Sequence, residues 1–168
     1  MKIAIISDSH DNIPNIEKFL GWAKENKIEM IIHCGDIASG ETVKYLSENF
    51  KGKIHLVYGN MDEPYRDEIY GACDGLANTV LYGDIGKLEI EGKKIAFCHL
   101  PQTAKELGES GKYNLVFYGH THKPWMETLS NGCQLINPGT LAGLFNKATF
   151  AAHDTGNGKL ELKILELI

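Results

Sequence analysis

Short apolar runs, each stopped by a turn rich in glycine and acids, set the rhythm of the first third of the chain. Ile3 to Ile6 is a continuous apolar run ending in SDSHDN, which predicts a buried strand leading into a polar loop. Asp11 or Asn12 then caps a helix with Pro14 in its first turn. Ile16, Phe19, Leu20 and Ala23 recur at the spacing of one helical face. Glu29 to His33 predicts a second strand before CGDIASG. A helix follows over roughly Glu41 to Asn49, with Val43 and Leu46 on its apolar side, and Lys53 to Tyr58 predicts a third strand before GNMDEP. Strand, helix, strand, helix, strand implies parallel pairing with right-handed crossovers.

In the second half the turns tighten. Lys87 to Ile90 and Lys94 to Cys98 flank Glu91-Gly92-Lys93, a hairpin signal, and Asn131-Gly132 and Asn157-Gly158 mark two more. Between them lie a helix over about Thr103 to Glu109 and a strand over Leu115 to Tyr118. A βαβ half thus runs into a meander half without linker, repeat or low-complexity segment. This predicts one α/β domain over residues 1–168, with two mixed β-sheets face to face and helices outside.

Composition narrows the function classes. With 43% hydrophobic and 23% charged residues, the chain reads as a soluble globular protein. Its net charge of -5 argues against a long nucleic-acid partner. Four cysteines without a C-x-x-C pair read as reduced, buried thiols and not as a disulfide framework. The apolar stretch in MKIAIISDSH is too short for a signal peptide, and no run approaches membrane-spanning length. The expected location is the cytoplasm.

The polar residues at the strand ends carry the candidate chemistry. They are Asp8 and His10 in SDSH, Asp36 in CGD, Asn60 in YGN, His99 in FCH, and His120 and His122 in YGHTHKP. Ligands of open α/β sheets bind at the carboxyl ends of strands, so seven side chains from five segments are expected on one rim. On a strand His120 and His122 would point the same way. Histidine nitrogens with carboxylate and amide oxygens suit Mn, Fe, Zn, Co or Ni better than Ca or Cu(I). A pair of divalent cations needs a bridging ligand, and the Asp36 carboxylate fits that place. With Asp8 and Asp36 as the only anions, two such cations keep an excess of positive charge, which would hold an anionic phosphate ester. Gly35, Gly59 and Gly119 let the backbone approach closely.

The order D-x-H, G-D, G-N, H, G-H-x-H resembles that of the calcineurin-like metallophosphoesterase superfamily. Short length and the NPGT at Asn137 to Thr140 make the chain similar to its small stand-alone bacterial and archaeal phosphodiesterases. The resemblance implies a four-layer αββα sandwich and a binuclear centre. Asp8, His10 and His122 would hold one metal, Asn60, His99 and His120 the other, and Asp36 would bridge. Manganese is the first expectation for the metals, with nickel, cobalt, iron or zinc as alternatives. The implied reaction is hydrolysis of a small phosphate ester, a diester before a monoester, by a metal-bridging hydroxide, with Asp36, Asn60 and His99 at the catalytic centre.

One position departs from the superfamily pattern. Where many members carry a histidine after Gly-Asn to protonate the leaving oxygen, this chain has Met61. That leaves the general acid unassigned, with Asp62 as a substitute candidate. Arg66, the only arginine, suits phosphate binding, although the acids around it favour a surface ion pair. Asn12 and Thr140 are further substrate-binding candidates. His33, His55 and His153 read as structural, His33 with an option of supporting the metal ligands. Trp22 and Trp125 read as core or half-buried aromatics. The rival reading is a non-catalytic protein-interaction scaffold, as in the retromer sorting subunit of this fold, or a phosphomonoesterase or small-nucleotide phosphatase. A scaffold is free to lose Asp36 or Asn60, and both stand. A homodimer is compatible with either reading.

Overall fold

The structure is a computed structural model describing residues 1–168. Its strands form two sheets, the first of six strands and the second of five. β1 (Lys2–Ile6), β2 (Met30–His33), β3 (Lys53–Leu56) and β4 (Thr79–Leu81) run parallel. The crossovers between them are α1 (Ile13–Glu25), α2 (Gly40–Asn49) and α3 (Arg66–Cys73). The second sheet comprises β5 (Ile85–Ile90), β6 (Lys93–Cys98), β7 (Leu115–Phe117), β8 (Trp125–Thr128) and β9 (Gln134–Asn137). Its one helix is α4 (Pro101–Glu109), between β6 and β7. β10 (Thr149–Asp154) and β11 (Lys159–Ile164) then return to the first sheet, where β10 pairs antiparallel with β1.

The alternation of side chains along a strand explains the layers. In β1, Ala4 and Ile6 join Ile16, Phe19 and Leu20 of α1 and Val43 and Leu46 of α2 in one buried cluster. Ile3 and Ile5 face the other way, into a cluster with Ile95 and Phe97 of β6 and Leu115 and Phe117 of β7. Val116 points outward again and packs with Ala104 of α4 and Leu135 of β9. Three apolar layers therefore separate four structural ones. β1 is a continuous apolar run because both its faces are buried.

Several sequence expectations need correction. α3 and β4 were not predicted: α3 buries only Ile69 and Ala72, and β4 is three residues long. The second half is not a plain meander, because β6, β7 and β9 pair in parallel. β3 ends at Leu56 and β7 at Phe117, which leaves Tyr58 and Tyr118 to the loops. The β5–β6 turn is the dipeptide Glu91-Gly92, with φ of 49° and 77°, the signature of a tight hairpin turn. Trp22 packs against the α1 cluster as expected, whereas Trp125 is exposed on the edge strand β8.

Candidate metal centre

The loops after β1, β2, β3, β6 and β7 bring the seven candidate side chains to one rim. Five of them sit on left-handed backbone, with φ of 52° at Asp8, 42° at His10, 56° at Asp36, 71° at His120 and 57° at His122. Non-glycine residues enter this region at a cost of about 1 kcal/mol or more each, so strain is concentrated here. It is also why His120 and His122 do not behave as strand neighbours: Thr121 N–H turns back to Gly119 O at 2.8 Å. Hydrogen bonds between loops hold the strained segments. Asp8 N–H reaches Gly35 O at 3.0 Å and His10 N–H reaches Asp36 O at 3.1 Å. His120 N–H donates to Asp8 Oδ2 at 3.2 Å. A Cβ on Gly59 would collide with Asp36 Oδ1, and one on Gly119 with Ser7 Oγ, so both close approaches require glycine.

Two clusters result. In the first, Asp8 Oδ1 lies 3.1 Å from His122 Nε2 and 4.0 Å from His10 Nε2. In the second, His99 Nε2 lies 3.4 Å from Asp36 Oδ2 and 2.9 Å from Asn60 Oδ1, which is also 2.8 Å from His120 Nδ1. Asp36 Oδ2 is 3.8 Å from His10 Nε2 and so belongs to both. Its other oxygen, Oδ1, accepts the Met61 N–H at 2.8 Å. Oδ2 is therefore the Asp36 oxygen that faces both clusters.

This donor set fits cations. His99 Nδ1 lies 2.8 Å from Cys34 O, an acceptor, which assigns the ring proton to Nδ1. Nε2 then presents a lone pair to two oxygens, Asn60 Oδ1 and Asp36 Oδ2. Buried acceptors are not left face to face without a proton or a cation between them. Asp8 Oδ1 and His10 Nε2 are buried with no hydrogen-bond partner at all. Burial raises the Asp8 carboxyl above the ordinary range, and His99 opposes that rise, so an ionised Asp8 calls for positive charge nearby.

Among the supporting residues, Asp62 is engaged at both carboxylate oxygens, and burial raises its carboxyl above the ordinary range while its backbone hydrogen bonds oppose the rise. It is fully buried. Its Oδ2 accepts N–H groups of Asp36 at 2.8 Å and Gly59 at 2.7 Å, and its Oδ1 accepts that of Ala38 at 2.8 Å. Thr140 and Asn12 are likewise committed. Thr140 Oγ1 donates to Asp8 O at 3.0 Å, and Asn12 caps α1 while its amide donates to Ala142 O at 2.9 Å. Both side chains thus already serve the fold. Arg66 is paired with Glu63 and Asp84 and lies over the Tyr58 ring, as its acidic surroundings suggested. His33 does support the centre. Its Nδ1 accepts Gly35 N–H at 3.2 Å, so Nε2 carries the proton and donates to Ser9 Oγ at 2.9 Å, joining the Asp8 and Asp36 loops. Burial, aided by His99 and His10, drives its pKa down to about 3.

Comparison with known proteins decides the family. The calcineurin-like phosphoesterase superfamily domain matches residues 1–158. This chain belongs to that superfamily. It is 34% identical to a phosphodiesterase of Methanocaldococcus jannaschii, over 85% of this chain and 86% of that one. A probable metallophosphoesterase of the same organism is 30% identical over 83% of this chain and 68% of the other. Among solved structures, that of an archaeal phosphodiesterase superposes with a TM-score of 0.87 at 30% identity, covering 98% of this chain and 99% of its own. Vps29 of Entamoeba histolytica complexed with zinc shares the fold at a TM-score of 0.69 and 16% identity, covering 97% of each chain.

Two features of this phosphoesterase flank the clusters on opposite sides. A cleft of about 410 Å³ opens beside Asn60 and His99, walled by Tyr58, Arg66, Leu100 and Thr103. On the other side the Phe145 ring stacks on His122, with 6.0 Å between centroids. Sequence reasoning missed Phe145, whose only signal is an aromatic in the polar turn GLFNK. No helix is long and apolar enough to cross a membrane.

Proposed function

We propose that the chain is a metal-dependent phosphodiesterase with two divalent cations. Asp8, His10 and His122 would hold one, Asn60, His99 and His120 the other, and Asp36 Oδ2 would be shared. Manganese is the first choice of metal, with nickel, cobalt, iron or zinc as alternatives. The observation that carries the reading is a set of buried polar atoms left without partners, Asp8 Oδ1 and His10 Nε2, beside His99 Nε2 facing the oxygens of Asn60 and Asp36. When bound, such a pair supplies a water of lowered pKa and neutralises charge on the phosphate oxygens.

The protein's part is positioning and electrostatics. Asp8 and Asp36 contribute two negative charges against four positive ones, so the rim keeps a net attraction for a phosphodiester monoanion. Gly59 and Gly119 keep the loops close enough for the ligands to meet. Asp62 and His33 fix the loops from behind. Ester arms on both sides of the phosphate would find the Asn60–His99 cleft and the Phe145 ring, which supports a diester before a monoester. Met61, which follows Asn60, has no proton to offer the leaving oxygen, so activated esters are favoured. We further propose that residues 1–168 act as a single domain on a small cytoplasmic substrate.

The test is to strip the protein with chelator and add back single metals. Hydrolysis of bis(p-nitrophenyl) phosphate and of p-nitrophenyl phosphate is then followed. The reading expects metal-restored turnover with the diester preferred, abolished in Asp36→Ala and His120→Ala. Absence of turnover with every metal would overturn it.

A further inference from the structure

The loop from Thr140 to Ala148 is rigid at its base and exposed at its tip. Thr140 and Ala148 form a β-bridge. Leu141 and Ala142 donate their N–H groups to Ser7 O and Asp8 O at 2.9 and 3.0 Å. The Asn15 amide donates to Leu141 O at 2.9 Å and ties the base to α1. Beyond this anchored base, Leu144 to Lys147 are exposed, and Phe145 is 96% exposed.

Phe145 combines two unfavourable features. A large apolar ring stands in water, and its backbone has a φ of 62°, which bulky residues rarely adopt. Leu144 beside it is 43% exposed, but the patch goes no further along the loop: Asn146 is polar, and Lys147 pairs with Glu166 at 3.4 Å. What the arrangement achieves is placement. The ring centroid lies 6.0 Å from that of the His122 imidazole, at an interplanar angle of 28°. His122 Nδ1 donates to Leu144 O at 3.3 Å, and its Nε2 faces Asp8 Oδ1 at 3.1 Å. The exposed Phe145 ring thus stands beside one histidine of the cluster where a phosphate would sit.

We infer that Phe145 is a stacking platform for a flat, uncharged ring carried on one ester arm of the substrate. The substrate class is then an aryl or nucleoside phosphodiester, and the inference rests on the phosphodiesterase reading above. Ring stacking tolerates the identity of the ring because every aromatic or base has a π face. The platform therefore selects a class of ester arm and not one base.

Dimethyl phosphate, methyl phenyl phosphate and thymidine 5′-methyl phosphate separate the possibilities. Their dissociation constants are measured by ligand-observed proton NMR titration on the zinc-loaded protein. We expect a ring-bearing diester to bind at least tenfold more tightly than dimethyl phosphate. That advantage should vanish in Phe145→Ala and survive in Phe145→Trp. An advantage for both ring esters identifies any aryl arm as the target, and one confined to the thymidine ester identifies a nucleoside; both support the platform. An advantage that persists in Phe145→Ala overturns it. So does a parallel loss for all three probes, which would reduce Phe145 to a prop for His122. Because binding is read without turnover, failure of hydrolysis and failure of the platform are separate results.

Discussion

The Asp62 carboxylate accepts the backbone N–H of Asp36 at 2.8 Å, so one buried acid that faces no cation site fixes another that does. The same carboxylate binds Gly59 and Ala38 N–H and joins the loops after β2 and β3. Asp62→Ala leaves these donors without partners. The expected cost is roughly 3 kcal/mol, with metal affinity lowered about 10- to 100-fold. Urea unfolding and chelator competition measure the two effects. Rates on aryl and alkyl leaving groups should fall in parallel, whereas loss of a general acid would spare the aryl ester.

Asp8→Asn should separate stability from function. Burial holds the folded Asp8 pKa above its unfolded value. The group favours folding only while protonated, and that benefit is lost as pH rises through the folded pKa. At neutral pH in the metal-stripped protein its charge is therefore a cost. We expect Asp8→Asn to raise the Tm of the stripped protein by several degrees, at about 2–4 °C per kcal/mol for a chain of this size. Metal addition should then produce a smaller further rise than in the wild type, because only the site of Asn60, His99 and His120 keeps all its ligands. In the wild type, metal at a hundredfold excess over its Kd should add about 2.7 kcal/mol. Differential scanning fluorimetry with and without metal reads both.

The His33 pKa near 3 predicts acid sensitivity. The unfolded chain takes up a proton on this residue below its ordinary pKa of 6.5, and the folded one does not until about 3. Stability present above 6.5 is therefore lost as pH falls across that window, at up to about 1.4 kcal/mol per pH unit. His55 and His153 are also lowered by burial, so the contribution of His33 is read by difference. Urea midpoints of the stripped protein at pH 7, 6, 5 and 4 should fall more steeply in the wild type than in His33→Gln.

Met61 stands half-exposed beside Asn60, and its thioether has no proton to give. Met61→His should raise kcat/KM for diesters with alkyl leaving groups by about tenfold or more. Nitrophenyl esters should change little. The ratio of the two rates between pH 6 and 8 is the measurement.

What could be read from the sequence was whatever recurs at a fixed place in a repeating unit. Each strand that ends at the rim is apolar, and each polar residue after it stands out, so Asp8, Asp36, Asn60 and His99 were visible without coordinates. α3 and β4 were not, since two buried residues on one and three residues in the other give no measurable period. His120 and His122 were found but their geometry was misjudged, because a positive φ at both leaves no mark in the spacing. Asp62 was noticed for its chemistry and not for its work, since the three N–H groups it binds lie on two loops from different crossovers. Phe145 carried no signal, because its meaning depends on His122, more than twenty residues earlier in the chain.

The span of these contacts also sets the order in which the site comes into being. Thr140 supports Asp8 across 132 residues, and β10 flanks β1 from near the other end of the chain. During synthesis the Asp8–His10 loop leaves the ribosome well before its supports, and waits for more than a hundred residues before Thr140 arrives. Pairings this distant in sequence form late. A cation cannot seed folding at Asp8. On the proposed reading it would be a latch on the finished protein, and a chain truncated before Thr140 would have nothing for it to close on.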